Sequence, residues 1–285
     1  MGKIIWLASY PKSGNTWLRI FLANYLRDGL EPVDINKLES PPIASSRIWF
    51  DELTGVQATA LDNASIKRLR PGVYRCLARD AQETLFVKVH DAWGFASHNE
   101  SLFPADVTAG VVYIIRNPLD LAISCAHHWG ISLIKAVENL CNPDFAIGGT
   151  TGGVSEQLSQ NLGSWSGHIR SWLDESNLPV YLVRFEDLHI DTEGVFSKIV
   201  NFCNLPFERA RLGKAVAFSG FAELQRQERE KGFCECLTSS RPFFRRGTVG
   251  TWREELPSEL VQKIETIHGQ FMRRFGYLDE GNQST

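Results

Sequence analysis

The stretch that most constrains this chain is Lys3 to Trp17, where a short apolar run (KIIWLASY) ends in Pro11-Lys12-Ser13-Gly14 and is followed by TWLRIFLANYL. The run has the length of a buried strand, and proline with glycine marks a turn. Beyond the turn, Trp17, Leu18, Phe21, Leu22 and Tyr25 recur at helical spacing. A helix entered from a strand through a tight turn presents free backbone N–H groups and the positive end of its dipole. That combination cradles a phosphate, and Lys12, Ser13 and Thr16 add a charge and two hydroxyls. We take Lys12, Ser13, Gly14, Asn15, Thr16 and Trp17 as candidate phosphate-binding residues. The nucleoside-triphosphate loop G-x-x-x-x-G-K-[ST] places its lysine after the glycines and its Ser/Thr on magnesium. Here Lys12 precedes Gly14 and no acidic metal partner is evident, so no metal is expected.

Three more runs read as buried strands: Thr84 to His90, Val111 to Arg116 and Val180 to Phe185, each short and rich in β-branched or aromatic residues. Helical patterns lie between several of them, most clearly from Pro118, after the capping signal Asn117-Pro118, and over Asp191 to Cys203 and Pro257 to Phe275. This alternation predicts an α/β fold, a parallel sheet flanked by helices on both faces. With 285 residues, 43% of them hydrophobic, the chain supports one large core, and a single domain over 1–285 is expected, with 277–285 as a flexible tail. The stretch Lys231 to Thr251 has no clear period but carries Arg241, Arg245, Arg246 and three glycines, which predicts an ordered loop holding an anion.

Thirty basic residues against 33 acidic ones leave a net charge of −3. No overall positive field draws the chain to nucleic acid or to an anionic membrane, so any anion is bound locally. The six cysteines are scattered, and only Cys234 and Cys236 lie close together, without further ligands at zinc spacing. Reduced thiols in a cytoplasmic protein are the expectation, in line with the absence of a signal pattern and of an apolar run reaching the roughly 20 residues of a membrane span.

The loop at Tyr10 to Trp17 is similar to the TYPKSGTTW loop of the sulfotransferases that use 3′-phosphoadenosine 5′-phosphosulfate (PAPS). Two further motifs of that family follow in order. Arg116 and Ser124, in RNPLDLAIS, match the arginine and serine that hold the donor's 3′-phosphate, and Arg245-Arg246-Gly247 running into Gly250-Thr251-Trp252 resembles the late R-K-G…G-x-W loop, with Arg246 replacing its lysine. The resemblance spans most of the chain and implies a P-loop-kinase-like sulfotransferase fold, PAPS as co-substrate and PAP as product. By the same resemblance Trp17 and Phe221, the latter in Ser219-Gly220-Phe221, flank the adenine, and Phe185 stands where relatives place a tyrosine. Two separated anionic groups on the donor require two separated groups of hydrogen-bond donors, which the Lys12 loop and Arg116, Ser124, Arg245, Arg246 and Gly247 can supply.

The resemblance also assigns the chemistry. Lys88-Val89-His90 matches K-T-H, in which the histidine takes the acceptor's proton; Lys12 is then placed to stabilise the leaving phosphate oxygen, and Lys88 to support the sulfonate or phosphate oxygens. His127 and His128 are competitors for the base, but adjacent helical residues diverge by about 100° and are not expected to face one pocket. They are read as helix-packing or acceptor-pocket residues. The acceptor is expected to be a small molecule, sulfated on oxygen or nitrogen, as in bacterial enzymes that tailor natural products. Its candidate pocket segments are Ile48-Trp49-Phe50, Trp93-Gly94-Phe95 and the glycine-rich turn 148–153 as a lid. The dimerisation segment of animal relatives is missing after Trp252, and the oligomeric state stays open. Other readings are a P-loop-type nucleotide-dependent kinase, which needs a metal-binding Ser/Thr after the lysine, and a non-catalytic nucleotide-binding protein, which would have no use for both Lys12 and His90.

Overall fold

Strand β1 (Ile4–Ser9) is buried along its whole length because it has a hydrogen-bonded neighbour on each side and helices on each face. The structure, a computed structural model, describes residues 3–38, 43–149, 156–236 and 242–279. Chain order is β1, α1 (Asn15–Arg27), α2 (Arg47–Thr54), α3 (Asn63–Asp80), β2 (Leu85–Val89), the short pair β3 (Phe95–Ser97) and β4 (Glu100–Ser101), then β5 (Thr108–Ile115). There follow α4 (Pro118–Trp129), α5 (Leu133–Cys141), the short pair β6 (Ala146–Ile147) and β7 (Gln160–Asn161), α6 (Trp165–Arg170) and β8 (Val180–Arg184). Helices α7 (Phe185–Ile190), α8 (Thr192–Phe202), α9 (Arg209–Phe218), α10 (Phe221–Lys231), α11 (Trp252–Glu255) and α12 (Ser258–Arg274) close the chain.

The main sheet has the order β2-β1-β5-β8, all parallel. Its two faces divide the strand residues by the period of two. Ile4, Trp6 and Ala8 of β1 with Val111, Tyr113 and Ile115 of β5 pack toward α3 to α6 and α12. Ile5 and Leu7 with Val112 and Ile114 pack toward α1, α8 and α9. The continuous apolar runs of the sequence are therefore strands covered on both sides, as expected. A third cluster lies behind α1, where Ile20 meets Val33, Ile35, Leu224, Phe233 and Phe244.

Register brings the strand ends together. Ala8 pairs with Val89, Ser9 with Ile114 and Ile115 with Arg184, so the loop after β1, His90, Arg116 and Phe185 all emerge at the carboxyl edge. That edge is where open parallel sheets bind ligands.

One expectation needs correction. Tyr277, placed in a flexible tail, is packed: its hydroxyl donates to Glu186 Oε2 (2.8 Å) and Arg184 lies over its ring. Residues 280–285 lie outside the described residues, as do Arg241 and 150–153 of the glycine-rich turn. The described residues of the stretch Lys231 to Thr251, from which 237–241 are excluded, form the ordered segment expected: Glu228 of α10 accepts from Phe243 N and Phe244 N, and Gln225 donates to the Phe244 carbonyl.

Candidate active site

Gly14 forms the N-cap of α1 at φ 109°, a conformation disfavoured for residues with a Cβ, and a Cβ there would stand 2.7 Å from the Phe185 ring. No side chain caps α1, which leaves its first N–H groups facing the loop. Asn15 ties the helix start to β1 by donating to the Leu7 carbonyl (2.7 Å) and to Ser9 Oγ (3.2 Å). Lys12 also has positive φ (70°), and its carbonyl accepts from Arg116 Nη1 at 3.0 Å. The arginine of the second motif thus holds the loop of the first.

The loop forms one wall of a cavity of ≈ 1110 Å³. Lys12, Gly14, Asn15, Thr16, Trp17, Lys88, His90, Arg116, Ser124, Phe221, Arg245, Arg246 and Gly247 all line it, as the motifs require. Ser13 is buried beside it, outside the lining. Ser219 departs from the expectation: it is fully buried away from the cavity, and its hydroxyl donates to the Ala215 carbonyl at the end of α9 (2.8 Å). Arg116 Nε, Trp17 Nε1 and the Ser13 hydroxyl are buried without a protein partner. Buried donors of this kind want an acceptor, and an oxyanion would supply several.

The third motif reaches the second through Asp120, in the first turn of α4. Its carboxylate accepts from Gly250 N (2.6 Å), Trp252 N (3.0 Å) and the Thr251 hydroxyl (3.2 Å). Gly247 sits at φ 61° against Phe221, so a Cβ there would meet the ring at 2.5 Å. Arg245 and Arg246 are not idle: both pair with Glu255 of α11.

Electrostatics at the reacting end follow from burial. His90 Nδ1 lies 2.8 Å from the Ser9 carbonyl, which can only accept, so Nδ1 carries the proton and Nε2 the lone pair. Burial, then the charge of Lys88, pushes the imidazole well below its usual range. His168 Nε2 donates to the His90 carbonyl (3.0 Å) and its Nδ1 accepts from Tyr113 (2.7 Å), which fixes the backbone behind the His90 imidazole. Burial lowers Lys12 to about 7, with Arg116 and Lys88 adding repulsion, while its Nζ rests 3.3 Å over the Phe243 ring.

Other residues at the cavity went unpredicted. Glu235 accepts from Lys88 Nζ (2.9 Å) and Arg19 Nη1 (2.5 Å); it stands in an aperiodic stretch between two cysteines, with no local signal. Phe243 and Asp120 were hidden in the same way, since the cavity residues they meet, Lys12 and His128 for Phe243 and Gly250 to Trp252 for Asp120, are 115 or more residues distant. His127 and His128 both line the cavity, against the expectation that adjacent helical residues cannot share one; the cavity is wide enough to wrap the last turn of α4. Neither Ile48-Trp49-Phe50 nor Trp93-Gly94-Phe95 lines it: Phe50 is core, and Trp93 and Gly94 border a separate 140 Å³ pocket. Gly148 does line it.

Compared with known proteins, residues 3–276 match the sulfotransferase domain model. The chain belongs to the sulfotransferase domain family. This sulfotransferase is 28% identical to Sulfotransferase 2A1 of Rattus norvegicus over 280 residues, covering 94% of the chain and 84% of the relative. Its fold is that of mouse sulfotransferase SULT7A1, solved with PAP (TM-score 0.58, 18% identity, 95% and 85% covered). It is also that of retinol dehydratase, solved with androsterone and inactive cofactor PAP (TM-score 0.63, 18% identity, 95% and 81% covered). Among the described residues of the sulfotransferase, no group of three His, Cys, Asp or Glu is placed to hold a metal ion, and no helix is long and apolar enough to cross a membrane.

Proposed function

We propose that this sulfotransferase moves a sulfonate group from PAPS to a hydroxyl, or a nitrogen, of a small apolar acceptor and releases PAP. The observation that carries the reading is the arrangement of two anion-binding groups on one cavity with a neutral histidine between the strand ends. The Lys12 loop and the start of α1 would take the 5′-phosphosulfate; Arg116, Ser124, Arg245, Arg246 and Gly247 would take the 3′-phosphate; Trp17 and Phe221 would flank the base. The unpartnered Arg116 Nε and Trp17 Nε1 fit that assignment.

The donor supplies a sulfonate whose bond to the 5′-phosphate oxygen breaks as the bond to the acceptor forms. His90 Nε2 takes the acceptor proton. The electron pair left on the phosphate oxygen is stabilised by the Lys12 ammonium and the N-terminus of α1, and Lys88 steadies the sulfonate oxygens. Ile43, Ile123, Trp129, Ile131, Phe145 and Ile147 give the acceptor end apolar walls. The androsterone in retinol dehydratase supports an acceptor of that kind. We read 1–285 as one domain, and six cysteines with no disulfide between them support a cytoplasmic location.

Titration calorimetry with PAP, followed by an acceptor screen with labelled PAPS, tests the reading, and absence of PAP binding would sink it. His90→Ala is expected to lower kcat by about 10²- to 10⁴-fold while leaving PAP affinity intact. A near-normal kcat would remove His90 as the base.

A further inference from the structure

Among the described residues Glu235 is the one carboxylate that bridges Lys88 and Arg19, and the roles assigned above leave it without a function. Its turn is held from behind: Cys234 N donates to Asn36 Oδ1 (2.8 Å), Asn36 Nδ2 donates to the Gly232 carbonyl (3.0 Å), and Phe233 is buried in the cluster behind α1. The carboxylate is thereby delivered between Arg19 on α1 and Lys88 on β2, two residues before the base. All three side chains are largely buried, at 11%, 14% and 26% exposure for Arg19, Lys88 and Glu235. Burial raises a carboxyl, but the attraction of Lys88 and Arg19 outweighs it and keeps Glu235 ionised. Its charge also acts on Lys12, His90 and His128, which places it at the centre of the group.

A planar oxyanion between Lys88 and Arg19 occupies Lys88, the partner that the sulfonate needs, together with the guanidinium beside it. Two anions cannot share them at low dielectric without repulsion. Resting on the PAPS reading, we propose that Glu235 is the built-in counter-ion of the sulfonate pocket and determines how the protein discriminates PAPS from PAP. It holds Lys88 and Arg19 in place before the donor arrives, gives Lys88 up to the sulfonate, and re-pairs with it once the sulfonate has left on the acceptor. The carboxylate therefore weakens binding of the sulfonated donor more than that of the desulfonated product.

The test is calorimetric affinity for PAPS and for PAP, without acceptor, in wild type, Glu235→Gln and Glu235→Asp. Glu235→Gln is expected to bind PAPS about ten-fold tighter and PAP less than about three-fold tighter, because only PAPS brings a second anion to Lys88. Glu235→Asp keeps the charge and should keep the wild-type ratio. Where Glu235→Gln does not fold, Arg19→Gln/Glu235→Gln removes one cation with the anion, restores charge balance and should shift the ratio in the same direction. An unchanged PAPS-to-PAP ratio in the charge-removing variant, or an equal shift in Glu235→Asp, overturns the counter-ion role while leaving the PAPS reading standing. Failure of the wild type to bind either nucleotide overturns the reading itself.

Discussion

Lys12 combines three unusual features: a left-handed backbone, an ammonium on the face of Phe243, and an affinity for protons lowered to about 7. The backbone strain, about 1–2 kcal/mol for a residue with a Cβ, is offset where Arg116 donates to the Lys12 carbonyl. The lowered pKa has a consequence for binding. In the free protein at about pH 8, Lys12 is mostly neutral, whereas a bound phosphate favours its charged form. Binding of PAP should therefore take up about one proton at that pH, and affinity should fall as pH rises above 7. Calorimetry in buffers of different ionisation enthalpy reads the uptake, and Lys12→Met should abolish it. Zero uptake in the wild type would show that Lys12 does not meet the phosphate. Lys12 was legible in the sequence because its neighbours in the chain are its neighbours in the site. Glu235 was not, since Lys88 and Arg19 lie 147 and 216 residues away.

At the scale of elements, the site is assembled from strand ends and from two carboxylates that clamp a loop. Asp120 of α4 receives Gly250 N, Thr251 Oγ and Trp252 N, while Glu228 of α10 receives Phe243 N and Phe244 N. The segment from Phe243 to Thr251 is thus held at both ends without helix or strand of its own. Asp120→Ala strands two backbone N–H groups and should lower stability by about 1–3 kcal/mol. PAP affinity should fall with it, because Arg245 to Gly247 lose their anchor. Urea unfolding and calorimetry on one variant measure both; unchanged PAP affinity would detach this loop from the 3′-phosphate. The strands and the helices after Gly14 and Asn117 were legible from period and punctuation. Helices α3 and α10 were not singled out, because α3 carries Pro71 and Gly72 inside it and α10 is mostly charged, with only Leu224 and Gln227 buried.

Across the whole molecule, one face of the sheet buries histidines in neutral form. Burial pushes His168 and His268 down to about 4, and both are fully enclosed. In the unfolded chain they would protonate near 6.5, so the unfolded state binds protons first as pH falls. Stability from these groups is complete above about pH 6.5 and is lost as pH drops toward 4, amounting to about 2 kcal/mol for each histidine at pH 5. A urea midpoint that falls between pH 7 and pH 5 is the expected result, with the fall reduced in His268→Gln. A flat profile over that range would show that these histidines titrate freely. The sequence by itself determined the doubly covered parallel sheet and the tight turn before α1, and it displayed the motifs at Arg116, Arg245 and His90, because each rests on residues a turn or a strand apart. Only the tertiary structure decided that Asp120 clamps the last motif, that Ser219 is spent on its own helix and that Glu235 stands between Lys88 and Arg19. Those pairings join groups more than a hundred residues apart, or, for Ser219, turn on which side of a helix end faces the cavity, and no local pattern encodes either.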